Sequence, residues 1–562
     1  MIRNSLYCVL SVLLLLYACR TEKKLEVGLI TEKAMVVTAH PEATRIGVEI
    51  LKKGGNAVDA AVAVQFALAV AYPRAGNIGG GGFMVARMND GRKYALDFRE
   101  MAPSAAHRDM YLDSLGEVIE DLSWMGHLAC GVPGSVAGMV AAHDSLGKLS
   151  WKEVIQPSID LARSGLHITE KEARAYQLKA SKMVKYNTRP NAFTADTVWT
   201  LGDTVFQPDL ARTLTAVRDQ KEAGFYEGWV ADSIVAEMER GGGIISLEDL
   251  KNYKAVWRTA VETDYKGYGL ISMPPPSSGG IALAQLLESV ENLDLRKKGF
   301  QSVEEVHAIV EAERRVYADR SIHLGDPDYY NVPQEGLMET AYLTERMADF
   351  DPNKASISDS IEAGEPMAES EQTTHFSIVD EDGNAVSLTT TINGSFGSCV
   401  VVGGAGFFLN NEMDDFSSKP GVPNYFGLLG SEGNSIQPGK RMLSSMTPTI
   451  VTRNDSLYMV VGTPGGSTII TSVFQNIINV LEHDFPMQAS VSAKRFHHQW
   501  KPDVIFYEEN TFSQKTMDQL KSMGHEMRQR GYIGRVDAIL VRPDGSLEGG
   551  ADPRGDDTAD GY

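Results

Sequence analysis

Two spacings of apolar residues divide the chain. Between residues 43 and 334 they recur mostly with helical period. Ala43 to Lys53 places Ile46, Ile50 and Leu51 on one face and stops at Gly54-Gly55, a helix closed by glycine. Asn56 caps a second segment, Val58 to Ala71, apolar nearly all round and interrupted only by Asp59 and Gln65, which suits a helix buried between layers. Trp151 to Ser164, Thr169 to Met183, Leu210 to Ala223 and Val303 to Leu324 read as amphipathic helices. From residue 373 onward alternation takes over. Phe376 and Ile378 alternate with Ser377, Asp380-Glu381-Asp382-Gly383-Asn384 turns the chain, and Val386 and Leu388 alternate with Ser387, a β-hairpin. Further strands are predicted at Phe83 to Arg87, Lys93 to Phe98, Val400 to Phe408, Thr449 to Val451, Leu457 to Val461 and Ala538 to Val541, with a helix at Ile469 to Glu482. Two strand-dense blocks flanked by helices predict stacked sheets with helical outer layers.

Composition narrows the function classes. A formal net charge of −21 over 562 residues argues against nucleic acid, whose phosphates need basic patches. At the N-terminus Arg3 precedes an apolar stretch from Val9 to Leu16, followed by Tyr17-Ala18-Cys19. This has the anatomy of a signal peptide and resembles a bacterial lipobox with Cys19 as lipidated residue. No later stretch reaches the roughly 20 apolar residues of a membrane span, so export with an acyl anchor is expected. Cys130 and Cys399 leave one disulfide open in an oxidising compartment. His497-His498 are expected to be structural, and neither metal nor cofactor is called for.

Candidate chemistry starts at the hairpin. A polar, acidic run from Asp359 to Gln372 reads as an exposed loop ending directly at a strand that opens with Thr373. Scission between Gln372 and Thr373 would put a hydroxyl and an α-amine on one residue. The amine titrates at about 7.7–8.0, so it can act as base for its own hydroxyl. The glycine run Asn77 to Phe83 lacks the Lys-Ser/Thr of a phosphate loop and is expected to serve close backbone packing. Arg99 ends a strand and is a candidate carboxylate fork, while Ala312 to Arg315 and Asp319-Arg320 read as salt links along a helix.

Thr373-Thr374-His375-Phe376-Ser377, Asp382-Gly383-Asn384-Ala385-Val386, Asn410 to Phe416 and Pro464-Gly465-Gly466-Ser467 together resemble the γ-glutamyltransferase (glutathione hydrolase) family of N-terminal nucleophile hydrolases, over about Glu32 to Tyr562. The resemblance implies an α/β, four-layer αββα sandwich, one intertwined unit made from two subunits: residues 19–372 after a signal peptide at 1–18, and residues 373–562. It implies Thr373 as nucleophile, Thr391 as its hydrogen-bonding partner, and Gly465 and Gly466 as oxyanion hole. The glutamyl head would be gripped by Arg99 and Ser444-Ser445 at the α-carboxylate and by Asn393, Glu412 and Asp415 elsewhere, the two acids taking the α-ammonium. Substrates would be glutathione and other γ-glutamyl compounds, with water, amino acids or peptides as acceptors. Pro420 to Gly427 matches a lid loop in which Phe426 stands where many bacterial members have tyrosine and Tyr425 comes one place earlier; easier water entry is expected. The alternatives are a related β-lactam side-chain acylase and a surface lipoprotein that binds amino acids or peptides without cleaving them.

Overall fold

The computed structural model describes residues 25–187, 189–194, 198–358, 373–419, 421–424 and 426–562. The signal segment, Cys19, the loop Asp359 to Gln372 and Tyr425 lie outside the described residues.

Two antiparallel sheets organise the chain, each of seven strands among the described residues. One runs, edge to edge, Thr558–Gly561, Met35–Thr38, Thr373–Val379, Ala385–Thr391, Gly81–Arg87, Lys93–Asp97 and Val256–Arg258. The other runs Leu29–Thr31, Leu547–Gly550, Asp537–Val541, Ser456–Gly462, Thr449–Arg453, Tyr268–Ser272 and Val261–Tyr265. Both sheets take strands from either side of Gln372, so the two halves of the chain share both sheets.

Period-2 alternation assigns residues to two cores. In Gly81–Arg87, Met84 and Ala86 pack with the helices Pro41–Lys52 and Ala57–Ala71, whereas Phe83 and Val85 pack toward the second sheet. The second sheet is backed by the helices Gly279–Glu291, Val303–His323 and Ile469–His483. The result is helix, sheet, sheet, helix: the αββα sandwich. Ala57–Ala71 is buried along its whole length and starts with a capping box between Asn56 and Asp59.

The expected hairpin forms, with Thr373 opposite Thr391 and Phe376 opposite Leu388. Its polar positions are not on a solvent face. Ser377 and Ser387 are fully buried, and their hydroxyls donate across the sandwich to the carbonyls of Asp537 (2.9 Å) and Val461 (3.1 Å). The glycine run packs as expected: a Cβ on Gly80 would lie 2.0 Å from the Thr391 carbonyl, and one on Gly79 2.1 Å from that of Phe408.

Two expectations change, and one question left open by the sequence is answered. Val400 to Phe408 is not a strand. It folds back on itself through Gly404 and Gly406, both at positive φ, with one isolated bridge between Val401 and Phe408; its apolar side chains are buried by aromatic packing, Phe407 on Phe225 and Phe408 on Phe193. Cys130 and Cys399 are separate buried thiols, with Cys130 directed at the Ser398 hydroxyl. Along Val303–His323 the salt-link pattern holds for Arg315 with Glu311 and fails for Arg320, which turns inward.

Candidate active site

Thr373 shares a face with His375 and Ser377, the face that looks at the second sheet. As the first residue of its strand it sits at the open end of the gap between sheets. A cavity opens there, lined by Thr373, Thr391, Asn393, Arg99, Glu412, Asp415, Ser444, Ser445 and Gly466. Every residue expected on the site from sequence therefore reaches one cavity except Gln372, which is not described, and Gly465, which lies one residue behind Gly466.

The end of the cavity around Thr373 is built from hydroxyls and backbone. Thr373 and Thr391 face each other across neighbouring strands, close enough for side-chain contact. Thr391 Oγ accepts from the Asn393 N–H at 2.7 Å, which leaves its own proton to donate. Asn393 holds a positive φ of 66° and ties its amide to the Asn411 carbonyl. His375 is no base for Thr373. The Ser377 hydroxyl donates to the Asp537 carbonyl, so His375 Nε2–H donates to Ser377 and Nδ1 accepts from Thr389; burial presses this imidazole down to about 3.

Across the cavity, Gly465-Gly466 lead through a short 3₁₀ turn into the helix Ile469–His483. Their φ values of 142° and 54° belong to glycine. A Cβ on Gly466 would lie 2.5 Å from Phe426, so the lid ring rests on the turn. The first N–H groups of a helical segment have no intrahelical partner, and Gly466 lines the same cavity as Thr373.

The other end is a knot of buried charge. Arg99, 1% exposed, meets Glu412 at 2.6 Å and Asp415 at 2.5 Å, with Glu100 at 3.6 Å. One guanidinium cannot neutralise three carboxylates. Burial, partly offset by Arg99, lifts Glu100 to about 8, which favours its protonated form at neutral pH. Burial also raises Glu412 and Asp415, and these carboxylates raise Arg99 against its own desolvation.

Three contributors were not picked out from sequence. Arg320 lines the cavity, is 4% exposed, and spends its guanidinium on the hydroxyls of Ser278 (3.0 Å) and Ser445 (2.9 Å); burial without a bonded carboxylate lowers its pKa. The Pro274 to Gly280 turn has a role: the Ser278 N–H and hydroxyl both donate to the Ser444 carbonyl, and the Ser444 N–H donates to the Pro276 carbonyl. Asn424 folds the lid by accepting from the N–H groups of Phe426 and Leu428, and its amide donates to Asp415 at 3.3 Å. None carried a local signal, because Arg320 in an Arg/Glu-rich helix looks like any surface ion pair.

His497 and His498 are buried and engaged by Thr471, Gln499 and Asp503. Among the described residues, His307, Glu311 and His525 bring metal-ligand atoms within 4.8 Å of one another. Glu311 there is already held by Arg315 at 2.7 Å and the Ser356 N–H at 3.0 Å.

A threonine opening a central strand of an αββα sandwich, facing a helix-start turn across the gap between sheets, defines the class as N-terminal nucleophile hydrolase. The backbone matches the crystal structure of cephalosporin acylase from Bacillus halodurans with a TM-score of 0.83 at 24% identity, over 96% of this chain and 98% of that one, a likeness of fold. The gamma-glutamyltranspeptidase family model matches residues 43–562, and the chain belongs to that family. It is 45% identical over 535 residues to the glutathione hydrolase proenzyme of Escherichia coli (strain K12), covering 94% of this chain and 92% of that protein. It is 48% identical over 517 residues to that of Pseudomonas aeruginosa, covering 91% of each.

Proposed function

We propose that Thr373 is the nucleophile of an autoprocessed γ-glutamyltransferase and glutathione hydrolase, and that the charged end of the cavity reads the glutamyl head. The observation that carries this reading is the pairing, in one cavity, of a strand-opening threonine with Arg99, two carboxylates and two serines. A glutamyl head is zwitterionic, and a buried charge without a partner is costly. Arg99 with Ser444-Ser445 receives the α-carboxylate; Asp415 and Glu412 receive the α-ammonium, exchanging a mutual ion pair for pairs with substrate. Arg320 acts through Ser445. By donating to Ser445 Oγ it leaves the serine proton for the substrate.

The chemistry is acyl transfer. Thr373 Oγ attacks the γ-carbonyl, its proton passing to the α-amine of the same residue. The oxyanion forms against the N–H groups of the Gly465-Gly466 turn. Collapse expels the amine, cysteinylglycine in the case of glutathione, which takes the proton. Water or an acceptor amine then opens the γ-glutamyl ester. Maturation uses the same hydroxyl: Thr373 Oγ attacks the Gln372 carbonyl, the peptide becomes an ester, and water releases a piece running from Thr373 to Tyr562.

The test is direct. Purified protein should migrate as two polypeptides, the smaller starting at Thr373, and release chromophore from a γ-glutamyl anilide. An active chain in which residues 372 and 373 remain joined would overturn the mechanism, since its base would not exist. Retention of Arg99, Asp415 and Ser444-Ser445 favours a glutamyl head over a β-lactam side chain.

We further propose export and lipid anchoring at Cys19, on the signal-like segment 1–18. Among the described residues no helix is long and apolar enough to cross a membrane. Cys19→Ala should move the protein from the detergent phase to the aqueous phase; an unchanged distribution would refute the anchor.

A further inference from the structure

Gln499 lies behind the cavity and joins two of its walls. Its side chain is 4% exposed. Oε1 accepts from the Ser467 hydroxyl at 2.7 Å and from His497 Nε2–H at 2.9 Å. Nε2 donates to the carbonyls of Gly427 (3.2 Å), Phe426 (3.4 Å) and Lys501 (3.2 Å). With two donors on one side and three carbonyls on the other, only one orientation of the amide satisfies its neighbours.

The two segments it links do different work. Ser467 follows Gly466 directly and belongs to the turn that faces Thr373; the Tyr317 hydroxyl holds the same residue by its carbonyl. Phe426 and Gly427 belong to the lid segment, and the Phe426 ring rests on Gly466. Lid and turn thus touch through ring on glycine and are tied through one amide. At the lid's other foot Asn424 bonds Asp415. A phenylalanine at 426 brings no hydroxyl to the lid, and its backbone carbonyl, with that of Gly427, is what Gln499 holds.

We infer that Gln499 is a positioning residue that ties the lid segment to the oxyanion turn and thereby sets how the γ-glutamyl-enzyme divides between water and an amine acceptor. The inference rests on the site reading given above. Releasing the Phe426 and Gly427 carbonyls lets the ring lift from Gly466, and water reaches the ester by a route the ring had closed. Releasing Ser467 shifts the N–H donors that face the carbonyl oxygen, which affects acylation and deacylation together. The first effect appears in product partition, the second in kcat.

Gln499→Glu separates them. A carboxylate still accepts from Ser467 and His497 but faces the lid carbonyls with no proton to donate. With γ-glutamyl-p-nitroanilide as donor and glycylglycine as acceptor, Gln499→Glu should raise the ratio of hydrolysis to transfer about fivefold, the equivalent of one net hydrogen bond. Ser467→Ala should lower kcat by about the same factor and leave the ratio unchanged. Phe426→Gly, which strips the ring without touching Gln499, should reproduce the altered ratio. The ratio is read only on acyl-enzyme that forms, so incomplete folding or processing does not shift it, and Gln499→Met supplies a neutral second variant. A wild-type ratio in Gln499→Glu and Gln499→Met, with only thermal stability reduced, would overturn the inference. Wild-type protein that releases no anilide would instead remove the reading of the site on which the inference rests.

Discussion

The two ends of the cavity are made of different materials. One holds Arg99, Glu412 and Glu100 fully buried and Asp415 partly so, within a few ångströms of one another, with Arg320 behind the serines. The other holds threonine hydroxyls, glycine N–H groups and an imidazole kept neutral by burial. Recognition of a zwitterion uses fixed charge, because charge buried in low dielectric rejects any ligand that leaves it unpaired. Acyl transfer uses preorganised dipoles, because charge there exists only transiently. The contrast suits the proposed mechanism, in which the base comes from the residue of the nucleophile itself: His375, the imidazole on the same strand face as Thr373, is already engaged by Thr389 and Ser377.

The largest effect should come from the uncharged end. Thr373→Ala is expected to leave a single uncut polypeptide with activity down by a factor on the order of 10⁴ or more, seen on a denaturing gel and by anilide release. At the charged end, Arg99→Met leaves Glu412 and Asp415 buried without their cation. It should destabilise the fold by about 3–5 kcal/mol, measured by denaturant unfolding. Binding of the glutamyl head should be lost with it; an Arg99→Met enzyme with unchanged kcat/KM would break the division of labour.

Arg320→Met sharpens the comparison, since it touches the charged end only through Ser445 and Ser278. KM should rise about 10- to 100-fold, the worth of charge-assisted hydrogen bonds, while kcat stays within a few-fold. A fall confined to kcat would place Arg320 with the acyl end.

Glu100 gives a pH signature. Its carboxyl is raised from 4.5 to about 8 by burial. Between those values the folded chain keeps a proton that the unfolded chain has lost, so stability is full below 4.5 and falls as pH rises through about 8. Glu100→Gln should flatten the decline in Tm between pH 6 and 8.5; an identical decline in the variant would assign it to other groups. The smallest effect is expected at the lid, where Phe426→Tyr should shift partition toward transfer by about two- to threefold, less than one full hydrogen bond.

The helices 151–164 and 303–323 and the hairpin from Thr373 lie where alternation and capping residues put them, because those signals are local. The failures share a cause. The stretch 400–408 has strand composition, yet its apolar side chains are claimed by Phe193 and Phe225 rather than by a ladder. Ser377 and Ser387 have the alternation of a half-exposed strand, yet both faces of that sheet are covered.

From the order of residues alone came the family, the proposed nucleophile and the residues matched to the glutamyl head, since long motifs fix residue type at each position. Only the packing of one sheet on the other decided that Arg320 belongs to the pocket, that Gln499 and Asn424 bond to the lid segment and its surroundings, and that burial lifts the Glu100 carboxyl. Those are properties of distance and burial between segments tens to hundreds of residues apart. No local pattern encodes them, because each is created when the two sheets close on one another and exclude water.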